Sequence, residues 1–277
     1  MKESVRIALA QISCNLGAKK QNMEKMAEYV WRARDQGAEL IIFPDLSLTG
    51  YTLRDRVYSV AETVPGNSTK IVARLAKEAE LYVIFGMPEL AERTQATIYN
   101  TAVFVGPSGY IGKYRKLYLP THSVFEEKRY FRPGYHTGVF DTELGGIGLT
   151  ICYDIFFPEV TRLSRIQGAQ LIVCISASPT TRRAYFETLT MARSIENAAF
   201  LAYVNLVGIE DGLQFWGGSR LVGPSGELVT VAACDKEDLA VGEANYVDIK
   251  PIETFIPTLK DLRPDLFGKL KEAAEEL

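Results

Sequence analysis

Large apolar residues recur at every second position at Val5, Ile7 and Leu9, the period of a strand, and apolar residues then recur at helical spacing through Met23, Met26, Ala27, Val30 and Trp31. Gly37 is placed to cap that helix. Leu40-Ile41-Ile42-Phe43 reads as a buried strand ended by Pro44, a second helix follows at Ile71, Val72, Leu75, Ala76 and Ala79, and Tyr82-Val83-Ile84-Phe85 is the next strand. From Thr97 the pattern changes to a hairpin: Asn100 to Val105, a turn at Gly106-Pro107-Ser108-Gly109, then Tyr110 to Lys116. Ile147 to Tyr153 reads as strand, Pro158 to Gln167 as helix, Leu171 to Ile175 as strand, Tyr185 to Ala198 as helix and Phe200 to Val207 as strand. Gly223-Pro224-Ser225-Gly226 repeats the earlier turn after another apolar strand, which predicts two similar hairpins. The tail from Lys260 to Leu277 reads as an irregular segment followed by a helix.

This alternation predicts an α/β fold, and the absence of a proline-rich or low-complexity linker favours one continuous domain over residues 1–277. A hydrophobic content of 47% against 23% charged residues is the balance of a packed globular protein. The net charge of -3 argues against a nucleic-acid partner. No apolar run approaches the roughly 20 residues of a membrane helix, and the opening residues lead into a strand instead of a signal-peptide core, so a cytoplasmic location is expected. Cys14, Cys152, Cys174 and Cys234 show no Cys-x-x-Cys spacing, and His122 and His136 form no zinc-binding pattern, so reduced thiols and no metal are expected.

Candidate chemistry lies at strand ends. Cys152 ends an apolar strand shortly before a helix, where a sharp turn presents a thiol and leaves backbone N–H groups free for an oxyanion; a buried structural cysteine is the alternative. A thiol needs a base, and His122 and His136 both lie in loop-like sequence, so a carboxylate with a lysine competes with a Cys-His pair. Asp45 stands at the C-terminal mouth of a strand, as a site residue or as a helix cap or turn. Lys116 and Glu127, each among polar neighbours, read singly as solvated surface charges.

Taken together, three motifs change this reading. They are Phe43-Pro44-Asp45-Leu46-Ser47-Leu48-Thr49-Gly50-Tyr51, then Gly112-Lys113-Tyr114-Arg115-Lys116-Leu117-Tyr118-Leu119-Pro120, and Ile151-Cys152-Tyr153-Asp154 with Phe157-Pro158-Glu159. In order and spacing the chain resembles the nitrilase superfamily of carbon-nitrogen hydrolases, amidase-like branch, over nearly its whole length. The segment Val124 to Gly134 looks especially like the amidase domain of glutamine-dependent NAD synthetases.

The resemblance implies a four-layer αββα sandwich, with residues 250–277 a C-terminal extension at a subunit interface of a homodimer or larger homo-oligomer. It assigns Cys152 as nucleophile, Lys116 as the cation, Asp45 as general base and Glu127, instead of Glu126, as the second carboxylate. Tyr153, through its backbone N–H, and Tyr51 and Ser178 are the expected oxyanion and substrate-binding residues, with no metal or organic cofactor. The family base is normally glutamate, so Asp45 retracts the carboxylate by about 1 to 1.5 Å, a displacement of the kind that costs roughly a hundredfold in rate. Tyr118 stands where histidine is frequent.

The implied activity is hydrolysis of a small linear amide to a carboxylic acid and ammonia through a Cys152 thioester. The alternatives are a nitrilase, an N-carbamoyl amidohydrolase, or a weakly active binding or ammonia-delivering subunit. Arg182 and Arg183 read as an exposed loop or as a carboxylate-recognition element, and Trp216-Gly217-Gly218-Ser219 as pocket lining or a turn before a core strand.

Overall fold

The computed structural model describes residues 2–276. In chain order the first part comprises β1 (Ser4–Gln11), α1 (Lys19–Asp35), β2 (Leu40–Ile42), α2 (Val57–Val60), α3 (Asn67–Ala79), β3 (Tyr82–Leu90), β4 (Ile98–Gly106), β5 (Gly109–Arg115) and α4 (Glu127–Tyr130). There follow β6 (Gly138–Thr142), β7 (Gly145–Ile151), α5 (Pro158–Ile166), β8 (Leu171–Ser176), α6 (Arg183–Asn197) and β9 (Phe200–Asn205). The last part holds β10 (Val207–Glu210), β11 (Leu213–Trp216), β12 (Arg220–Val222), β13 (Leu228–Val231), β14 (Asp238–Asn245), α7 (Ile249–Phe255) and α8 (Pro264–Glu275).

Two six-stranded sheets form, in the orders β14-β1-β2-β3-β4-β5 and β13-β12-β9-β8-β7-β6, with β10 and β11 a separate ribbon. Each sheet has three central parallel strands, β1, β2 and β3 in one and β7, β8 and β9 in the other, flanked by antiparallel neighbours. The side-chain period of two decides how they stack. Val5, Ile7 and Leu9 of β1 join Leu149, Ile151, Val173 and Ile175 in one core between the sheets. Their neighbours Ala8 and Ala10 join Met26, Val30 and Ala33 of α1 and Val72 and Ala76 of α3 in a second core on the outer face. On the far face of the second sheet, α5 and α6 supply the fourth layer, with Phe186 of α6 packed against Tyr203 of β9. The αββα sandwich expected from sequence is therefore the one observed, because strands apolar on both faces must be covered on both.

The predicted elements are present, with informative differences at their ends. Gly37 lies just past α1 at φ +73°, the left-handed position that favours glycine after a helix. The strand read as Ile147 to Tyr153 stops at Ile151, because Asp154 Oδ2 accepts the Ile151 N–H at 3.0 Å and the chain turns there. The segment read as one strand from Phe200 to Val207 breaks after Asn205, and the β10–β11 ribbon begins. The repeated Gly-Pro-Ser-Gly turns do close hairpins, β4–β5 and β12–β13.

One close approach sets the position of the β2 end. A Cβ added at Gly86 of β3 would lie 2.3 Å from Leu46 N and 2.9 Å from the Asp45 carbonyl carbon, so only glycine lets the chain after β2 pack against β3. Gly86→Ala is expected to cost roughly 1–3 kcal/mol through overpacking against backbone. Urea denaturation measures this, and an unchanged midpoint would show that the approach is looser than the structure indicates.

Candidate active site

β5 runs antiparallel to β4, as β4 does to β3, so β2, β3 and β5 end at the same edge of the first sheet. Asp45 follows β2, Lys116 follows β5 and Cys152 follows β7, so the three come from strand ends in both sheets, where α/β proteins gather their sites. A backbone bond spans the sheets at this point: Asp45 N–H donates to Ser176 O, at the end of β8, at 3.3 Å. Leu46, the next residue, is at φ +49°, a strained backbone for a branched residue that turns the chain at the site.

Lys116 is held at both peptide groups: its N–H donates to Asn100 O at 2.9 Å and its carbonyl accepts from Gly134 N–H at 2.8 Å. Its ammonium is fully buried and donates to Glu127 Oε1 at 2.7 Å, with Asp45 Oδ2 at 3.8 Å on its other side. Glu127 begins the single turn α4, its N–H bonded to Pro120 O, while Glu126 beside it faces solvent, as expected from sequence. Tyr51 donates its hydroxyl to the same Glu127 Oε1 at 2.6 Å.

Cys152 is buried at φ +47° and opens a short 3₁₀ turn, Cys152–Phe156. Two groups brace that turn. Asp154 accepts from Ile151 N–H, Tyr118 N–H at 2.9 Å and Tyr114 Oη at 2.7 Å, tying the end of β7 to the end of β5. Arg193 of α6 donates to Ile155 O at 2.9 Å. Asp154 appeared in the sequence only as a motif member; its position two residues after the thiol was the available signal for a brace. Tyr118, where histidine is frequent in the family, lies flat against Phe157 with ring centroids 3.5 Å apart.

The charges explain one another. Burial pushes the Asp45 carboxyl up to about 7, with Lys116 pulling it down and Glu127 pushing it further up. Burial likewise pushes the Cys152 thiol up to about 11 against the pull of Lys116. For Lys116 itself burial opposes the charge, yet Glu127, Cys152 and Asp45 outweigh it and raise its pKa. Near neutral pH the site therefore holds a thiol, an ammonium and, at Asp45, a carboxyl close to its titration midpoint.

Cys152 opens on a cavity of about 110 Å³ whose walls include His122, Phe125, Tyr153, Phe156, Arg182 and Tyr185. Arg182 is thus at the pocket, whereas Arg183 is exposed and paired with Glu187 at 3.0 Å. His122 sits at the rim with its ring 5.3 Å from that of Tyr153, and His136 is exposed in a loop outside the pocket. Ser178 lies behind the site, its N–H donating to Asn205 Oδ1 at 2.7 Å, and is not among the residues lining this cavity. Trp216 ends β11, buried against Tyr203, and Gly217-Gly218-Ser219 lead into β12, as in the reading of a turn before a core strand. Among the described residues no group of three or more His, Cys, Asp or Glu is placed to hold a metal, and no helix is long and apolar enough to cross a membrane.

The carbon-nitrogen hydrolase family model matches residues 6–253. A probable nitrilase of Schizosaccharomyces pombe is 31% identical over 268 residues, covering 95% of this chain and 97% of that one. The omega-amidase of Homo sapiens is 30% identical over 274 residues, covering 96% and 97%. Among solved structures, a variant of the amidase from Nesterenkonia sp. AN1 aligns with a TM-score of 0.84 at 27% identity over 97% of this chain and 98% of that one. That structure carries the acetamide moiety of fluoroacetamide covalently attached at its active-site cysteine. With the motifs, the sandwich and these relatives in agreement, the chain belongs to the carbon-nitrogen hydrolase family of the nitrilase superfamily.

Proposed function

We propose that this enzyme is a thiol amidohydrolase that cleaves a small linear amide to a carboxylic acid and ammonia. The observation that carries this reading is the buried Lys116 ammonium between Glu127 and Asp45, beside a thiol held at positive φ. Asp45 accepts the Cys152 proton as sulfur attacks the amide carbon, and Lys116 with the Tyr153 backbone N–H receives the oxyanion. The protonated Asp45 returns its proton to the leaving nitrogen, ammonia departs, and a thioester remains. Asp45 then takes a proton from water, the hydroxide adds to the thioester carbon, and collapse expels the sulfur, which recovers the proton and releases the acid. Glu127 keeps Lys116 in place and charged throughout.

Arg182 favours a second carboxylate on the acyl side of the amide, as in an ω-amide of a small dicarboxylic acid. It lines the cavity at Cys152 and, among the described residues, has no ion-pair partner. The similarity to omega-amidases supports the same substrate class. The assembly read from sequence, a homodimer or larger with residues 250–277 at its interface, is supported by α8. No side chain of that helix is buried, its Leu266 and Leu270 are exposed at 52% and 50%, and Phe255 at the end of α7 is exposed at 84%.

Ammonia release from a panel of aliphatic amides, ω-amides, N-carbamoyl amines and nitriles tests the activity. Cys152→Ala is expected to abolish it, and Asp45→Glu to raise kcat by roughly ten- to a hundredfold by returning the carboxylate's reach. Arg182→Leu is expected to raise KM for ω-amides by about tenfold or more, the worth of a charged hydrogen bond, and to spare neutral amides. No release from any compound by the wild type or Asp45→Glu would refute the reading.

The pH profile has a definite sign. A carboxyl held up to about 7 by burial is protonated below that pH, so kcat/KM should climb as pH rises through about 7. The same group binds its proton more tightly folded than unfolded, so its contribution to stability declines as pH rises from its ordinary 3.8 to about 7. A rate that falls across that interval would exclude Asp45 as the base. Sedimentation velocity is expected to show a dimer or larger species that Leu266→Glu weakens; a monomeric wild type would remove the interface assignment.

A further inference from the structure

The β10–β11 ribbon reaches from the second half of the chain to the loop that follows Asp45. Its turn is Asp211-Gly212, both at positive φ, +48° and +80°, the two-residue geometry that fits a twisted hairpin. At the end of β10 the side chain of Glu210 is 5% exposed, and one oxygen, Oε2, accepts three bonds from that loop. The donors are Tyr51 N–H at 2.8 Å, Thr52 N–H at 3.0 Å and Thr52 Oγ1 at 3.3 Å. The other oxygen, Oε1, has no partner in the protein and lies over Gly50, where an added Cβ would stand 3.2 Å from it. Gly50 is at φ +78°, so the backbone there combines a left-handed residue with two successive N–H groups aimed at one anion.

The loop so gripped carries Tyr51, whose hydroxyl is on Glu127 Oε1 at 2.6 Å, the oxygen that also holds Lys116 Nζ at 2.7 Å. Phe215, on β11, packs its ring against Tyr51 with centroids 6.1 Å apart, so the ribbon holds the tyrosine at backbone and ring together. Arg54 and Asp211, paired at 2.6 Å, close the same junction at the surface. A buried carboxylate accepting three donors is a stiffer anchor than a solvated one, because charge-assisted bonds strengthen where water is excluded.

The geometry points to Glu210 as a positioning residue for the reaction: through the backbone of Tyr51 and Thr52 it sets the Tyr51 hydroxyl, which fixes the rotamer of Glu127 and with it the place of the Lys116 ammonium. This rests on the reading of Lys116 and Cys152 as the working cation and nucleophile. It makes the site depend on a residue some 160 positions away in sequence, |i−j| = 159 from Tyr51.

The test uses the full chain with Glu210→Ala, Glu210→Gln, Tyr51→Phe and the Glu210→Ala/Tyr51→Phe double variant. Three quantities are measured: kcat and KM on the fastest amide, the pH dependence of Cys152 alkylation by iodoacetamide, and the urea midpoint. Glu210→Ala should lower kcat by roughly ten- to a hundredfold, the cost of a misplacement near 1 Å, with KM changed far less. Its alkylation profile should move to higher pH as Lys116 drifts from the thiol. Glu210→Gln keeps an oxygen that accepts the same bonds and should recover most of the loss. In the Tyr51→Phe background Glu210→Ala should add no more than about twofold, since residues acting through one link are not additive. Full multiplication of the two single losses, a kcat loss no larger than the fraction unfolded, or an unmoved alkylation profile would each overturn the proposal. A wild type without amide turnover would refute the amidase reading alone, and the alkylation profiles would still decide the role of Glu210.

Discussion

Two carboxylates share one buried ammonium, and the site follows from that inequality. Glu127, at 2.7 Å and supported by the Tyr51 hydroxyl, takes the ion pair with Lys116; Asp45, at 3.8 Å, is left with the remainder of the attraction. Removing a charge from water costs several kcal/mol even after the protein relaxes, and a pair recovers it only with close geometry and further hydrogen bonds. Glu127 meets those conditions at Oε1, which holds both Lys116 and the Tyr51 hydroxyl, whereas neither Asp45 oxygen has a hydrogen-bond partner in the protein. Burial therefore drives the Asp45 carboxyl up to about 7, far above the range of a solvated aspartate.

Holding such a group requires that its neighbours cannot relax around it, and the two-sheet architecture provides this. Strand ends from both sheets meet at one edge, and the peptide of Asp45 is bonded across the gap to Ser176. Asp154 ties the end of β7 to the end of β5 through three donors, so the turn bearing Cys152 is fastened to the segment bearing Lys116. The strained positions, Leu46 at φ +49° and Cys152 at φ +47°, are both buried beside these ties, and a left-handed non-glycine residue persists only when its surroundings over-determine it.

Much of the fold was legible in the chain. Period-two alternation in β1 and helical spacing in α1 and α3 marked elements that each bury a continuous apolar face. The β10–β11 ribbon and β14 were not legible. β14 gains its identity from pairing antiparallel with β1, Ser4 opposite Asn245, across almost the whole chain, and its own sequence alternates weakly around Gly242. Cys152, Lys116, Asp45 and Glu127 were legible only as motifs in a fixed order. Singly, Lys116 and Glu127 look like surface charges, and their burial is visible only once they face each other.

By itself the sequence determined which segments become strands and helices and which residue types are available for chemistry, since periodicity, turn residues and motif spacing are local properties of the chain. Tertiary structure alone decided that Arg182 faces the pocket while Arg183 pairs with Glu187, and that Glu210 reaches back to the loop after Asp45. These outcomes depend on distances and on exclusion of water between residues far apart in sequence. The same carboxyl titrates as a solvated acid or several pH units higher according to what is packed around it.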